Sequence, residues 1–531
     1  MQHPTSVPRL NYDVLLDIFP YLPPHDISSV MKTCRDLYRP AIPFILDPRP
    51  WRAALRMSDP RMIHSFYTFM SARPWNGDRI RYLTRLCIGT NRPSEGVVSE
   101  VAQIVRMAVN LEELTLESLE DMLRVGGSVV METFCDLHNH HNLKKLSVSY
   151  IRSRSEKMLS NVVSSSIVDL SLSFDSSMDF PDPSMALRNL RNTIEILTLE
   201  SCYPELMDAP CPRVHTLSIR TSFPLTTLVF VRLFPNLRKL DPLIECAAMD
   251  EEEVGDRRRE NQADLERNNA SWPDLKYVRG DPIHLFILCL SCHVYELEFQ
   301  PIASEEIDET TQLLADLTPR MVHLPVDLKT FSPADLTEFL DEALLNCGDC
   351  CTHLSLRLVL TKDIFDIDRL PPILLQSLGR ARLTVLEIMI EYQQPMQVAF
   401  IGPERMDVDD TPEEDPDVEM DDVEEIPEHP QSALYTGDEF DLGESMILVP
   451  KPDEISEYLD SLDTWSLMRD IGHRIRSLTT IGLYVSFFPI EKSRYWQVIR
   501  GDEYQTSLLD IGQFWDGKRD IWDVAAEATE T

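Results

Sequence analysis

One hexamer constrains this chain more than anything else in it. An apolar residue is followed by two others, an apolar residue, one other and an apolar residue. It reads LTRLCI (83–88), LEELTL (111–116), LKKLSV (143–148), IVDLSL (167–172), IEILTL (194–199) and VHTLSI (214–219). It returns as VYELEF (294–299), CTHLSL (351–356), LTVLEI (383–388) and LTTIGL (478–483). Degraded versions stand in FPNLRKL (234–240) and WPDLKYV (272–278). The early steps are 28, 32, 24, 27 and 20 residues. The last three positions alternate in, out, in, so each unit is a short strand with one buried face. Between strands there is room for a helix, as in VSEVAQIVRMAVN (98–110), where Val101, Ile104, Val105 and Ala108 share one face. One strand and one helix cannot close a core, but stacked units can. The pattern predicts an α/β solenoid, with parallel strands on the concave face and helices outside. The competing arrangement is an ordinary α/β fold with scattered strands.

In such an array the outward strand positions line the concave face. Candidates for contacting a protein substrate are Glu113, Thr115, Glu117, Lys145, Ser147, Ser171, Thr198, Thr216, Arg220, Glu296, Glu298, Ser355 and Arg357. They are polar, often small and mixed in charge, which suits a protein-recognition surface better than a small-molecule pocket. The bland alternative is a solvated sheet face.

The segment LNYDVLLDIFPYLPPHDISSVMKTCRDLYRPAIPFIL (10–46) follows another period. Asn11 can cap a first helix whose apolar stripe is Val14, Leu15, Ile18 and Phe19. Pro20 ends it near Phe19. Asp26 can cap a second helix with Ile27, Val30, Met31, Cys34, Leu37 and Tyr38, closed by Arg39-Pro40. A third turn, AIPFIL, follows. Fewer than 40 residues of this kind seldom hold together without a partner, supplied in cis or in trans.

These residues carry a resemblance to the F-box family. The order Leu10, Asp13-Val14-Leu15, Ile18-Phe19-Pro20-Tyr21-Leu22, Pro24-His25-Asp26-Ile27, Val30 and Thr33-Cys34-Arg35 matches its pattern in spacing and caps. Asn11 replaces the usual proline, Pro20 intrudes in the first helix, and Leu37 stands where tryptophan is common. The resemblance implies docking on a Skp-type adaptor, and through it on cullin and RING subunits of a ubiquitin ligase. The implied adaptor contacts are Leu10, Asn11, Val14, Leu15, Ile18, Phe19, Leu22, Ile27, Val30 and Cys34. Burying six such side chains gains roughly 9–18 kcal/mol, against an association cost of about 4–15 kcal/mol. The alternative is that these helices pack only on the rest of the chain. The repeats resemble leucine-rich repeats. Their steps are irregular, and the family's Asn or Cys at the ninth position survives only as Cys202 in IEILTLESC.

Composition bounds the remaining readings. The net charge of −38 argues against nucleic acid as the main partner and leaves a basic protein as the more plausible one. Eleven scattered cysteines read as reduced thiols of an intracellular protein, cytoplasmic or nuclear. MQHPTSVPRL lacks a secretory pattern, and no apolar run is long enough for a membrane span. Only 17 glycines occur, and no phosphate-cradling or nucleophile-elbow motif is present, so neither catalysis nor a cofactor is expected. Cys289-x-x-Cys292-His293 and Cys347-x-x-Cys350-Cys351-x-His353 raise zinc as a remote alternative. The cluster HNHH (138–141) reads as a loop.

Two charged stretches read as interruptions. MDEEEVGDRRRENQADLERNN (249–269) is expected as an exposed loop or helix. RMDVDDTPEEDPDVEMDDVEEIPEHP (405–430) holds 13 carboxylates and is expected to be a disordered insertion. The tail residues Trp496, Phe514, Trp515 and Trp522 suggest a packed cap, or an aromatic substrate anchor. The expected organisation is an F-box over 8–47, a helical linker over 48–80 and a solenoid over 81–400. An acidic insertion (402–432) and a last repeat with its cap (433–531) follow. The function this implies is a non-catalytic substrate receptor of an SCF-type ligase. A non-ligase interaction scaffold is the competing class.

Overall fold

The hexamers line up. The structure, a computed structural model, describes residues 12–22, 24–33, 35–46, 55–72, 79–90, 92–178, 181–222, 225–244, 250–361, 365–393, 454–487, 490–500 and 506–510. Its strands form one open sheet in chain order. They are β1 (Leu55–Met57), β2 (Arg85–Ile88), β3 (Glu113–Leu116), β4 (Lys145–Ile151), β5 (Asp169–Phe174), β6 (Ile196–Glu200), β7 (Thr216–Thr221) and β8 (Lys239–Ile244). Then come β9 (Asp274–Gly280), β10 (His293–Phe299), β11 (Met321–Asp327), β12 (His353–Thr361), β13 (Val385–Gln393) and β14 (Thr480–Phe487). These fourteen run parallel, each paired with the next.

The fourth position of every hexamer falls on one continuous row. Leu55, Leu86, Leu114, Leu146, Leu170, Leu197 and Leu217 are successive partners. The row continues through Leu240, Val278, Leu297, Val322, Leu354, Leu386 and Ile481. The row from Leu86 to Ile481 is buried throughout. At about 1.5–3 kcal/mol for each fully buried aliphatic side chain, this row is a main cohesive element of the chain. The sixth position makes a second row, from Ile88 through Leu172 to Leu483. Two units escape the sequence pattern. β1 follows no apolar heading residue, and β11 is headed by Pro319 in PRMVHL. Residues 48–80, expected as a helical linker, therefore contain β1.

Helices fill the steps: α1 (Tyr12–Ile18), α2 (Pro24–Thr33), α3 (Arg35–Leu46), α4 (Pro60–Ser71), α5 (Glu95–Met107), α6 (Leu119–Cys135), α7 (Ser153–Leu159) and α8 (Ser184–Leu187). The series continues with α9 (Thr227–Leu233), α10 (Glu251–Asn268), α11 (Pro282–Leu288), α12 (Ile307–Leu317), α13 (Pro333–Asn346), α14 (Leu370–Leu378), α15 (Glu454–Ser461) and α16 (Thr464–Arg474). From α4 to α14, neighbouring helices pack side by side over the leucine rows, with a break between α8 and α9. Caps set their starts: Ser94 Oγ accepts from Val97 N, and Asp281 Oδ1 accepts from Ile283 N at 3.0 Å.

α10 corrects one expectation in part. Within the charged stretch 249–269, expected as an exposed loop or helix, Glu251–Asn268 form a helix that covers the sheet between β8 and β9. Asp250 caps it by accepting from Glu253 N at 2.8 Å. Val254 and Leu265 are buried. Between them Asn261, 2% exposed, donates to Leu225 O and Ile287 O and accepts from Thr227 N. Arg258 lies over the Phe286 ring at 3.9 Å. A helix this polar finds its place by satisfying buried backbone groups, which hydrophobic periodicity does not reveal. Beside it the β8–β9 ladder has two paired positions, the shortest among the described strands. Pro242 brings no N–H to β8, and a Cβ on Gly280 would lie 3.2 Å from Pro242 O.

α1–α3 join the same core. Phe19, Ile27 and Leu46 are buried, and the Phe19 and Phe44 rings pack with centroids 5.7 Å apart. Arg79 ties the helices to the array, its guanidinium over Tyr38 of α3 and Phe69 of α4. The chain does not end its second helix at Pro40. α2 begins at Pro24, a first-turn proline position, and α3 runs through Pro40 and Pro43. Its stripe of Leu37, Ala41, Ile42 and Leu46 is buried, and that packing outweighs the missing N–H groups.

Beyond β14 the sheet continues as β15 (Ile490–Arg500) and β16 (Thr506–Asp510), both antiparallel. Trp496 lies on β15 opposite Ile481. Phe514, Trp515, Trp522 and the acidic insertion lie outside the described residues.

Candidate interaction surface

The face away from the helices carries the outward hexamer positions in register. Its central row begins Cys87, Thr115, Ser147, Ser171, Thr198, Ser218. Beside it, charges pair across adjacent strands. Arg85 reaches Glu113 at 3.4 Å, Lys145 reaches Asp169 at 3.3 Å, and Arg220 reaches Glu200 at 3.6 Å. Glu117 accepts from Arg56 at 3.1 Å and lies over Gly89, where a Cβ would sit 2.0 Å from its carboxylate. Burial and Glu117 together push the Cys87 thiol up to about 12. Thr216 Oγ1 lies 3.1 Å from His215 Nδ1.

From β8 onward the same row becomes charged. Asp241 follows Ser218, and the row resumes as Arg279, Glu298, His323, Ser355, Glu387. Glu298 accepts from the Tyr277 hydroxyl and lies 3.4 Å from Arg279. His323 Nε2 lies 3.1 Å from Glu296. Arg357 donates to Glu391 through Nε at 2.8 Å. A cavity of about 160 Å³ opens among Arg279, Glu298, His323, Ser355, Arg357 and Met389. Burial raises Asp241, while Arg279 and Arg220 pull it back. Burial also raises Glu387, partly offset by His323 and by its bond to Ser355. Glu387 Oε1 is buried without a hydrogen-bond partner, and leaving a polar group so is costly. In the turn just before α12 the buried Glu306 accepts from Ala303 N at 2.8 Å. Desolvation pushes it up to about 7, with Asp281, Glu305 and Glu309 adding to the rise.

All thirteen surface candidates fall on this open face, twelve of them on β3–β7, β10 and β12 and Glu117 just past the end of β3. Lys145, Arg220 and Arg357 are exposed and the others half-buried. Sequence reasoning missed Tyr277, Arg279, His323, Glu387 and Glu391. Glu387 was readable, because it fills the fifth position of LTVLEI. His323 was hidden by the unrecognised β11 unit.

At the N-terminal helices the ten adaptor candidates divide. Val14 is 45% exposed and the neighbouring Tyr21 77%. Ile18, Leu22 and Val30 are half-buried, while Phe19 and Ile27 pack inside the module. Leu10, Asn11, Cys34 and the side chain of Leu15 lie outside what is described.

The two cysteine motifs do not converge. Cys289 closes α11 in a left-handed conformation (φ 47°), and Cys292 is buried. Among the described residues no group of three or more His, Cys, Asp or Glu side chains could hold a metal ion. Nor is any described helix long and apolar enough to cross a membrane. No protein-family model matches the chain, and no curated protein matches it.

Proposed function

We propose that the chain is a substrate receptor of an SCF-type ubiquitin ligase. In this reading residues 10–46 are an F-box that docks on a Skp-type adaptor and, through it, on cullin and RING subunits. The array is a leucine-rich-repeat solenoid whose open face holds a protein substrate. The chain itself catalyses nothing; it raises the local concentration of substrate lysines near a ubiquitin-loaded enzyme. One observation carries the reading. An open sheet face of fourteen in-register strands, polar along its length, shares one continuous core with three short helices that leave Val14 and Tyr21 exposed. Such a face fits a polypeptide better than a metabolite.

The test is co-purification of the full chain with a Skp-type adaptor, wild type beside Leu15→Asp/Ile18→Asp. Adaptor and cullin should be retained by the wild type and lost by the variant, with both showing the same circular dichroism. A second reading draws on the burial of Phe19 and Ile27 and on the Tyr38–Arg79–Phe69 stack. There the helices are a lid on the first repeat, and the chain is an interaction scaffold. Folded wild type without adaptor would decide for that reading.

A further inference from the structure

Two arginines of the back face converge on one cavity. Arg279 stands on β9 and Arg357 on β12, three strand steps or about 14 Å apart across the sheet. Both side chains nevertheless line the same cavity of about 160 Å³, with Glu298, His323, Ser355 and Met389 from β10 to β13. Neither guanidinium is fully engaged. Arg279 meets Glu298 through Nε at 3.4 Å and donates no hydrogen bond among the described residues. Arg357 directs Nε and Nη2 to a single oxygen of Glu391, which leaves Nη1 without a partner among the described residues. The two side chains are 49% and 45% exposed, so an incoming group can reach them.

Charge decides what fits there. Two arginines and one carboxylate line the cavity, a positive balance even before His323 is counted, in a chain whose net charge is −38. The carboxylate is already engaged, since Glu298 accepts from the Tyr277 hydroxyl and faces Arg279. The open donors therefore call for an anion. Asp241, Glu296 and Glu391 stand on the strands around the cavity, and their repulsion favours a single negative charge over two. The volume lies below the roughly 300 Å³ at which small-molecule pockets begin, which suits one side chain better than a metabolite. A carboxylate is planar and matches a guanidinium fork. We propose that this cavity is a subsite for one aspartate or glutamate side chain of a bound polypeptide, held between Arg279 and Arg357. Lysine or arginine at nearby positions of that polypeptide then faces the surrounding carboxylates. The subsite rests on the reading of the open face as a polypeptide surface, and it narrows the partner to an acidic residue set among basic ones.

The test titrates the full chain into fluorescein-labelled peptides Lys-Gly-Ser-Xaa-Ser-Gly-Lys and reads fluorescence anisotropy. Glutamate at Xaa should bind about tenfold more tightly than glutamine. Arg279→Gln and Arg357→Gln should each shrink that ratio, and the double variant should bring it to one, with circular dichroism unchanged. Arg106→Gln, on the helical side in α5, should leave the ratio as in the wild type. Equal or absent binding of the glutamate and glutamine peptides to the wild type would overturn the subsite. So would tightest binding of the lysine peptide, a ratio that survives in the double variant, or a phosphoserine peptide that outbinds the glutamate one. Adaptor co-purification of the same proteins separates the two possible failures. A missing glutamate preference with adaptor retained removes the subsite alone, and a glutamate preference without adaptor removes the receptor reading alone.

Discussion

The front of the array, β2–β7, and its back, β9–β13, share an interior and differ in face. Inward, both halves repeat buried leucine, isoleucine and valine. Outward, the front row reads Thr115, Ser147, Ser171, Thr198, Ser218, and the back row reads Arg279, Glu298, His323, Ser355, Glu387. The difference teaches that alternation along a strand divides labour between neighbouring residues. Even positions must fill a close-packed interior and vary little. Odd positions meet solvent and are free to diverge, so one fold displays two surfaces.

The comparison can be tested from its strongest element downward. Leu197→Ala in the front and Leu354→Ala in the back should each cost about 2–5 kcal/mol in urea unfolding. A loss in one half more than twice that in the other would break the claim of a common interior. The next effect belongs to the back. Glu306 has a folded-state value of about 7 against an ordinary 4.5. Its contribution is therefore present below pH 4.5 and lost as pH rises through 7. Glu306→Gln keeps an acceptor for Ala303 N and should remove a slope of roughly 2–3 kcal/mol between pH 5 and 8. Urea midpoints at stepped pH check this; equal slopes in wild type and variant would refute it. At the junction, Asn261→Ala should cost about 1–3 kcal/mol. It should also speed amide exchange at Thr227 ahead of exchange in β4 or β12. The smallest effects are on the surface. Lys145→Ala in the front and Arg357→Ala in the back should each change stability by about 0–1 kcal/mol, since both side chains are exposed.

Much of the architecture was legible because the code is local. Each recognised hexamer states its own strand and its own burial. What stayed hidden broke that code in physical ways. The β11 unit is headed by Pro319, two residues before the strand, where the other hexamers carry a larger apolar side chain. α10 earns its place through Asn261 and Arg258, whose partners are backbone carbonyls and a ring far along the chain. No periodicity encodes such contacts. The open face was legible position by position, but its network was not. The Tyr277–Glu298 and His323–Glu296 contacts need strands that the pattern showed only faintly or not at all.

The two-rung ladder between β8 and β9 has a mechanical consequence. A stack of strands bends like a leaf spring, and curvature collects where the fewest rungs resist it. Elastic strain from a load at either end would gather at this joint. Arg220 on β7 and Arg279 on β9 stand on either side of this joint, so a long partner spanning both halves would lie across it.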